Sequence, residues 1–154
     1  MAADSAVATK ATTLSKHQMI QDIYVLLDDG DRRILRRFGL NTSQYATLLL
    51  LDCVEGRRLT DMSDQLLREK STITRIVDRL ESEGLVRRVA DPHDRRAQRV
   101  LLTPSGAERV AHARQAHHRS LEQRMSVLSE PEQQQLAQLL TKLRAGLQAD
   151  LEQR

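Results

Sequence analysis

The sequence has few of the features that mark secreted, membrane-spanning or catalytic proteins. It contains one cysteine, Cys53, so an internal disulfide is excluded and a reducing compartment is favoured. No apolar run approaches the ~18 residues that span a bilayer. A glycine-rich phosphate loop and a Ser/His/Asp or Cys/His arrangement are also lacking. We therefore predict no enzymatic activity, no cofactor and no membrane partner.

The first 13 residues, MAADSAVATKATT, are small and polar and lack the apolar core of a secretion signal. This composition predicts a disordered tail over residues 1–13 and a cytoplasmic protein. The full length of 154 residues is enough for one domain with a real core, or for two smaller lobes.

The excess positive charge is concentrated in one segment. The whole chain has 24 Lys and Arg against 21 Asp and Glu, a net charge of +3. Residues 68–99 hold nine Lys and Arg and six Asp and Glu, so this segment alone carries the same excess. Local basicity of this kind favours a polyanionic partner over a merely soluble basic surface.

Residues 71–84, STITRIVDRLESEG, have the periodicity of an amphipathic helix. Their apolar members follow the i, i+3, i+4, i+7 spacing of one buried face: Ile73, Ile76, Val77 and Leu80. Hydroxyls and guanidiniums lie on the other side and at its margin: Ser71, Thr72, Thr74, Arg75 and Arg79. Such a face suits a DNA major groove. Taken alone, the pattern favours a solvated surface helix over a DNA-binding one.

A basic hairpin follows this helix. Gly84 predicts the helix end, and residues 85–89 and 99–103 predict two strands. The turn-forming residues DPHD connect the strands, and the loop carries Arg95 and Arg96. Arginines on a hairpin can enter the narrow minor groove beside a helix that occupies the major groove. Helix and hairpin together predict a winged helix-turn-helix DNA-binding domain over residues 41–103.

The segments STITRIVDRLESEGLVRR and DPHDRRAQRVLLTPSG resemble the recognition helix and wing of the MarR family of bacterial transcription regulators. The resemblance extends from about Leu14 to Leu151. It implies a mainly α fold with a small β-hairpin wing, and a helical dimerisation region formed by residues 14–40 and 104–154. It further implies a homodimeric, ligand-responsive repressor that binds a pseudo-palindromic double-stranded DNA operator. A small-molecule effector is an expected second partner.

The resemblance also implies roles for single residues. Those matching the part of the recognition helix that touches bases and phosphates are Ser71, Thr72, Thr74, Arg75 and Arg79. In the wing, Arg96 matches the minor-groove arginine, Arg95 is a second contact, and Asp94 orients a neighbouring guanidinium. Phosphate contacts or wing salt bridges are expected of Arg87, Arg88 and Arg99.

The turn before the recognition helix departs from the family pattern. Leu67 and Arg68 lie where glycine and then an apolar residue are frequent. A leucine at positive φ is strained, so a different turn conformation is the alternative. Thr60 is the predicted N-cap of the preceding helix, residues 61–67.

Cys53 supports an alternative function, a redox-sensing regulator. The thiol lies in the apolar pattern of a predicted helix over residues 43–54, which favours a buried structural cysteine. His112, His117 and His118 lack the i, i+4 spacing of zinc ligands on a helix. We therefore predict packed or solvated histidines and no metal site.

The C-terminal helix carries a leucine stripe that it cannot bury alone: Leu136, Leu139, Leu140, Leu143, Leu147 and Leu151. Packing within the chain and packing across a two-fold axis both remain open, and a helical interaction protein without DNA binding would explain the stripe as well. If an effector pocket lies between the two lobes, His17, Tyr24 and Arg36 are conceivable lining residues.

Overall fold

The computed structural model describes the backbone of residues 2–94 and 96–152, and the side chains from residue 12 onward within those ranges. In chain order the elements are α1 (Ala2–Arg36), α2 (Thr42–Leu49), β1 (Arg57–Arg58), α3 (Leu59–Gln65), α4 (Lys70–Ser82), β2 (Val86–Ala90), β3 (Gln98–Leu102), α5 (Pro104–Met125) and α6 (Glu130–Glu152). The chain forms two compact units, Met1–His117 and His118–Arg154. This is the predicted mainly α fold with a small sheet.

The first helix is longer than predicted. It begins at Ala2, so residues 2–13, for which we predicted disorder, are helical, and residue 1 lies outside the described residues. Alanine, the residue with the highest helix propensity, recurs through this segment and favours the extension. The helix ends at Arg36, and Gly39 follows with a φ of +70°. There the amide of Leu40 donates to the carbonyl of Leu35 at 3.1 Å, the closing bond of a Schellman motif.

The second helix is shorter than the predicted range of residues 43–54. Asn41 caps its start, because its side chain accepts the amide of Gln44 at 2.8 Å. The helix stops at Leu49, and Asp52 then accepts the amides of Val54, Glu55 and Gly56 at 2.7, 2.6 and 3.1 Å. These local bonds compete with helical ones. Cys53 therefore lies exposed in a loop, and the prediction of a buried structural cysteine was wrong.

The helices α3 and α4 pack on a three-stranded antiparallel sheet of order β1-β3-β2. The side chains of Ile73, Val77 and Leu80 are completely buried, as the helical periodicity predicted. The two wing strands lie one residue from their predicted positions, after Leu85 and before Thr103. The predicted cap at Thr60 was wrong, because α3 begins at Leu59 directly from strand β1, without a side-chain cap.

The turn between α3 and α4 keeps the left-handed conformation in spite of its leucine. Leu67 has a φ of +50° and is the one non-glycine residue at positive φ within residues 2–94 and 96–152. The amide of Arg68 donates to the carbonyl of Ser63 at 3.0 Å, which closes α3 in the manner of a glycine C-cap. The Leu67 side chain is 92% exposed, so burial does not compensate for the backbone strain.

The last two helices differ in how they are anchored. Thr103 caps α5 by accepting the amide of Gly106 at 3.0 Å, and its hydroxyl donates to the carbonyl of Gly84 at 2.6 Å. A Cβ at Gly106 would lie 1.9 Å from the carbonyl oxygen of Leu85, so only glycine permits this approach. In contrast, none of the described residues of α6 is buried. Among the helices that the structure describes, none combines the length and the apolar composition needed to cross a membrane.

Candidate DNA-binding surface

The face of α4 opposite its buried stripe carries the predicted contact residues. Ser71, Arg75 and Arg79 are exposed, and Thr72 and Thr74 are partly exposed. The hydroxyl of Thr74 donates to the carbonyl of Lys70 at 2.8 Å, and the Nε of Arg79 donates to Glu83 one turn later. The structure thus brings these five side chains to one surface, and buried apolar residues on the other side hold the helix in place.

The helix α4 is tied to strand β2 through Arg88. This guanidinium contacts the carboxylates of Asp78, at 2.5 Å, and of Glu81. The backbone amide of Arg88 also donates to Glu81 at 3.1 Å. Its side chain is only 18% exposed, so Arg88 acts as a salt bridge between the helix and the wing. Arg87 is exposed on the same strand.

The base of the wing is organised by a buried carboxylate. The Oδ2 of Asp91 accepts the Nε of Arg58 at 2.8 Å and that of Arg99 at 2.7 Å. Its Oδ1 accepts the amides of His93 and Asp94 at 2.8 and 3.1 Å. The hydrogen bonds from Arg58 and Arg99 hold the pKa of Asp91 well below its usual range. The Asp91 side chain therefore joins strands β1 and β3 to the wing turn.

The sequence indicated Asp91 only as a turn former and did not single out Arg58. The missing signal was the strand register, in which Arg58 pairs with Arg99 across the sheet. That register places the two guanidiniums on one carboxylate. It is set by the pairing of β1 with β3, which are 40 residues apart in the sequence and share no local pattern.

The wing turn places Arg96 at the surface. The Oδ1 of Asp94 accepts the amide of Arg96 at 2.9 Å, and the Asp94 carbonyl accepts the amide of Ala97 at 2.9 Å. Among the described residues, the Asp94 carboxylate thus contacts the backbone of the turn, and its expected role in orienting a neighbouring guanidinium stays a prediction. The Arg96 side chain is exposed, and Arg95 lies outside the described residues.

A cleft of about 490 Å³ separates the wing from the starts of α3 and α4. We call it the wing cleft. Its lining residues are Arg58, Leu59, Thr60, Lys70, Asp94, Arg96, Ala97 and Gln98. It therefore has basic and polar walls contributed by strand β1, both helices and the wing.

The histidines of α5 differ in their surroundings. His117 lies with its Nε2 3.1 Å from the Oδ1 of Asp31, and its ring meets Tyr45 edge-on at a centroid distance of 5.3 Å. Burial raises the pKa of Tyr45, and the nearby Arg114 opposes this rise. His118 is exposed near Glu122. Within the described ranges, no group of three or more His, Cys, Asp or Glu could hold a metal ion.

A helix-turn-helix whose second helix exposes a polar and cationic face, followed directly by a basic hairpin, defines a winged helix-turn-helix protein. The model of the MarR family matches residues 40–97. The HTH-type transcriptional regulator MhqR of Bacillus subtilis (strain 168) is 31% identical over 126 residues, which cover 82% of this chain and 86% of that protein.

Two further comparisons agree with this match. The transcriptional repressor MprA of Escherichia coli (strain K12) is 31% identical over 121 residues, covering 77% of this chain and 69% of that protein. The crystal structure of the S. aureus MepR-DNA complex superposes with a TM-score of 0.76 at 25% identity, covering 84% of this chain and 96% of that one. The chain belongs to the MarR family of transcription regulators, which confirms the family and the fold predicted from the sequence.

Proposed function

We propose that the protein is a homodimeric repressor that binds a pseudo-palindromic operator, with α4 in the major groove and the wing in the adjacent minor groove. The observation that carries this proposal is the exposed hydroxyl and guanidinium face of α4 beside a basic wing. The similar protein MprA is named a transcriptional repressor, and the similar MepR was crystallised with DNA. A protein that binds bacterial DNA would act in the cytoplasm. We propose that the protein has no catalytic activity.

The proposed contact residues divide into base readers and wing contacts. Arg75 is the strongest base reader, because it is exposed and makes no salt bridge within the described part of the chain. On DNA binding, the guanidinium of Arg79 would leave the carboxylate of Glu83 and contact the DNA. Arg96 would enter the minor groove together with Arg95. The hydroxyl residues that would touch bases or phosphates are Ser71, Thr72 and Thr74.

A second copy of the chain is the proposed cover for the apolar surface of the terminal helices. On α6 the exposed large apolar residues are Leu139, Leu140, Leu143, Leu147 and Leu151. On α1 they are Leu14, Met19, Ile20, Ile23, Tyr24, Val25 and Leu26. So many large apolar side chains are rarely left exposed on the helices of a monomer. A dimer would also supply two recognition helices for two half-sites about one helical turn apart.

An effector would act from clefts beside α2. One cleft is lined by Tyr24, Leu27, Asp28, Asp31, Thr42, Ser43, Ala46, Leu66 and Arg68. A neighbouring one is lined by Arg32, Arg36, Leu40, Asn41, Thr42, Ser43, Thr72 and Ile76. The second includes two residues of α4, so a ligand there could shift the recognition helix directly. His17 is exposed on α1, and the redox alternative at Cys53 has no support from the similar proteins.

The test is fluorescence anisotropy with a labelled fragment from upstream of the protein's own gene, titrated at several salt concentrations beside a scrambled duplex. We expect tighter binding to the native fragment and a strong salt dependence, because phosphate contacts release counterions. Equal, weak binding of both duplexes would be followed by selection from a random oligonucleotide pool. Failure to enrich any sequence there would overturn the proposal.

A further inference from the structure

A helix in a major groove and a wing in the adjacent minor groove must straddle the sugar–phosphate strand that separates the two grooves. In this protein the space between those two elements is the wing cleft. Strand β1 and the start of α3 line this cleft together with the wing and the start of α4. If α4 occupies a major groove and the wing the adjacent minor groove, the backbone strand between the two grooves would pass this cleft.

The charges of the wing cleft suit a phosphodiester. Lys70 is the first residue of α4, is exposed, and makes no salt bridge among the residues that the structure describes. Arg58 and Arg96 add two guanidiniums, against a single lining carboxylate, that of Asp94. Thr60 and Gln98 add polar groups that can donate hydrogen bonds to phosphate oxygens.

The guanidinium of Arg58 is held in place before any DNA arrives. Its Nε donates to the buried Asp91, and its side chain remains 36% exposed. A guanidinium has five N–H donors, so the bond to Asp91 leaves its other donors for a ligand. An arginine fixed in this way loses less conformational entropy when it binds a phosphate.

We propose that the wing cleft holds one DNA backbone strand, with Lys70 and Arg58 as phosphate contacts and Asp91 as the residue that positions Arg58. This inference rests on the proposed DNA-binding function and adds residues that the sequence did not single out. It differs from base reading in its consequences. Phosphate contacts act on every sequence equally and contribute to the salt dependence of binding.

The first test is Lys70→Gln in the full-length protein, with the native and scrambled duplexes. The slope of log K against log salt should become shallower by about 0.9 per cleft, or about 1.8 for a homodimer. The preference for the native duplex should stay unchanged. The matched control is Lys142→Gln, the same change at an exposed lysine of α6, which should leave the slope unchanged.

The second test concerns the positioning by Asp91. Asp91→Asn removes a negative charge, so simple electrostatics predicts tighter and more salt-sensitive binding. If Asp91 positions Arg58, binding becomes weaker and less salt-sensitive instead. Glu69→Gln is the matched control: it removes one charge from an exposed residue just before α4 and should tighten binding. Circular dichroism melts of both variants report whether the fold is retained.

Three outcomes separate the inference from the function on which it rests. An unchanged salt slope in Lys70→Gln overturns the phosphate contact. A loss confined to the native duplex makes Lys70 a base reader and also overturns it. Tighter binding by Asp91→Asn overturns the positioning role. If the wild-type protein itself prefers no sequence, the proposed function fails, and the variants are not needed to show it.

Discussion

The DNA-binding region and the last helix differ in how much of their apolar surface is buried. Residues 59–103 bury Met62, Ile73, Val77, Leu80 and Val100 completely, in a core that also includes residues of α1, α2 and α5. The described part of α6 buries none of its side chains, although it carries a leucine stripe. The apolar face of the first region is therefore covered within the chain, whereas the stripe of α6 is the surface that needs a partner.

The largest expected effect on stability should come from a substitution in the buried core. Ile73→Ala removes a fully buried side chain from the base of α4 and should lower the free energy of unfolding by about 2–5 kcal/mol. Urea denaturation monitored by circular dichroism measures the loss. Ile76→Ala is the matched control on the same helix, and its half-buried side chain should cost clearly less. Equal losses would contradict the assignment of the buried stripe.

Substitution of a leucine of α6 should weaken the dimer and leave the fold of the subunit intact. Leu143→Ala should weaken the proposed dimer by at least about 2 kcal/mol, roughly a 30-fold rise in its Kd, because a leucine on each subunit loses its cover. Sedimentation velocity over a concentration series gives the dissociation constant. The control Gln138→Ala changes a polar, exposed position of α6 and should leave it unchanged. A dimer insensitive to Leu143→Ala would move the interface elsewhere.

The buried carboxylate of Asp91 should make the stability of the protein depend on pH at acidic values. The pKa of Asp91 is lowered in the folded state, so its contribution is fully present above its unfolded pKa of about 3.9 and is lost as the pH falls toward the folded value. Wild-type stability should therefore fall more steeply than that of Asp91→Asn as the pH decreases from about 4 to about 2. Urea midpoints across this range test the difference, and parallel curves would contradict it.

The smallest expected effect is a gain at the strained turn. Leu67→Gly should stabilise the fold by roughly 0.5–1 kcal/mol, because relief of the left-handed backbone exceeds the entropic cost of glycine. The reverse change at Gly39, to alanine, should destabilise by about 1 kcal/mol, since its φ is +70°. Thermal melts of both variants measure the two signs. A loss of stability in Leu67→Gly would mean that its exposed side chain has a contact that offsets the strain.

The sequence predicted those parts of the molecule that depend on local patterns. The buried stripe of α4 follows from helical periodicity, and its end before Gly84 follows from the backbone freedom of glycine. The early end of α2 did not, because the Asp52 side chain takes three backbone amides that a helical pattern does not reveal.

The hydrogen-bond network around Asp91 could not be predicted from the sequence either. Asp91 gains its role only when β1 and β3 pair and bring Arg58 and Arg99 to one carboxylate. The same pairing places Arg58 in the cleft that Lys70 also lines. Contacts between distant parts of the chain depend on register, which is set by the whole core and not by a motif.

The most direct test of the central claim, that α4 and the wing form one DNA-binding surface, is charge reversal at Arg96. We expect Arg96→Glu to abolish binding of the native duplex in the anisotropy titration, because a carboxylate would then face the electronegative minor groove. The exposed position should leave folding and oligomeric state as in the wild type. Undiminished binding by a folded Arg96→Glu protein would contradict the account, since the wing could not then be a DNA contact.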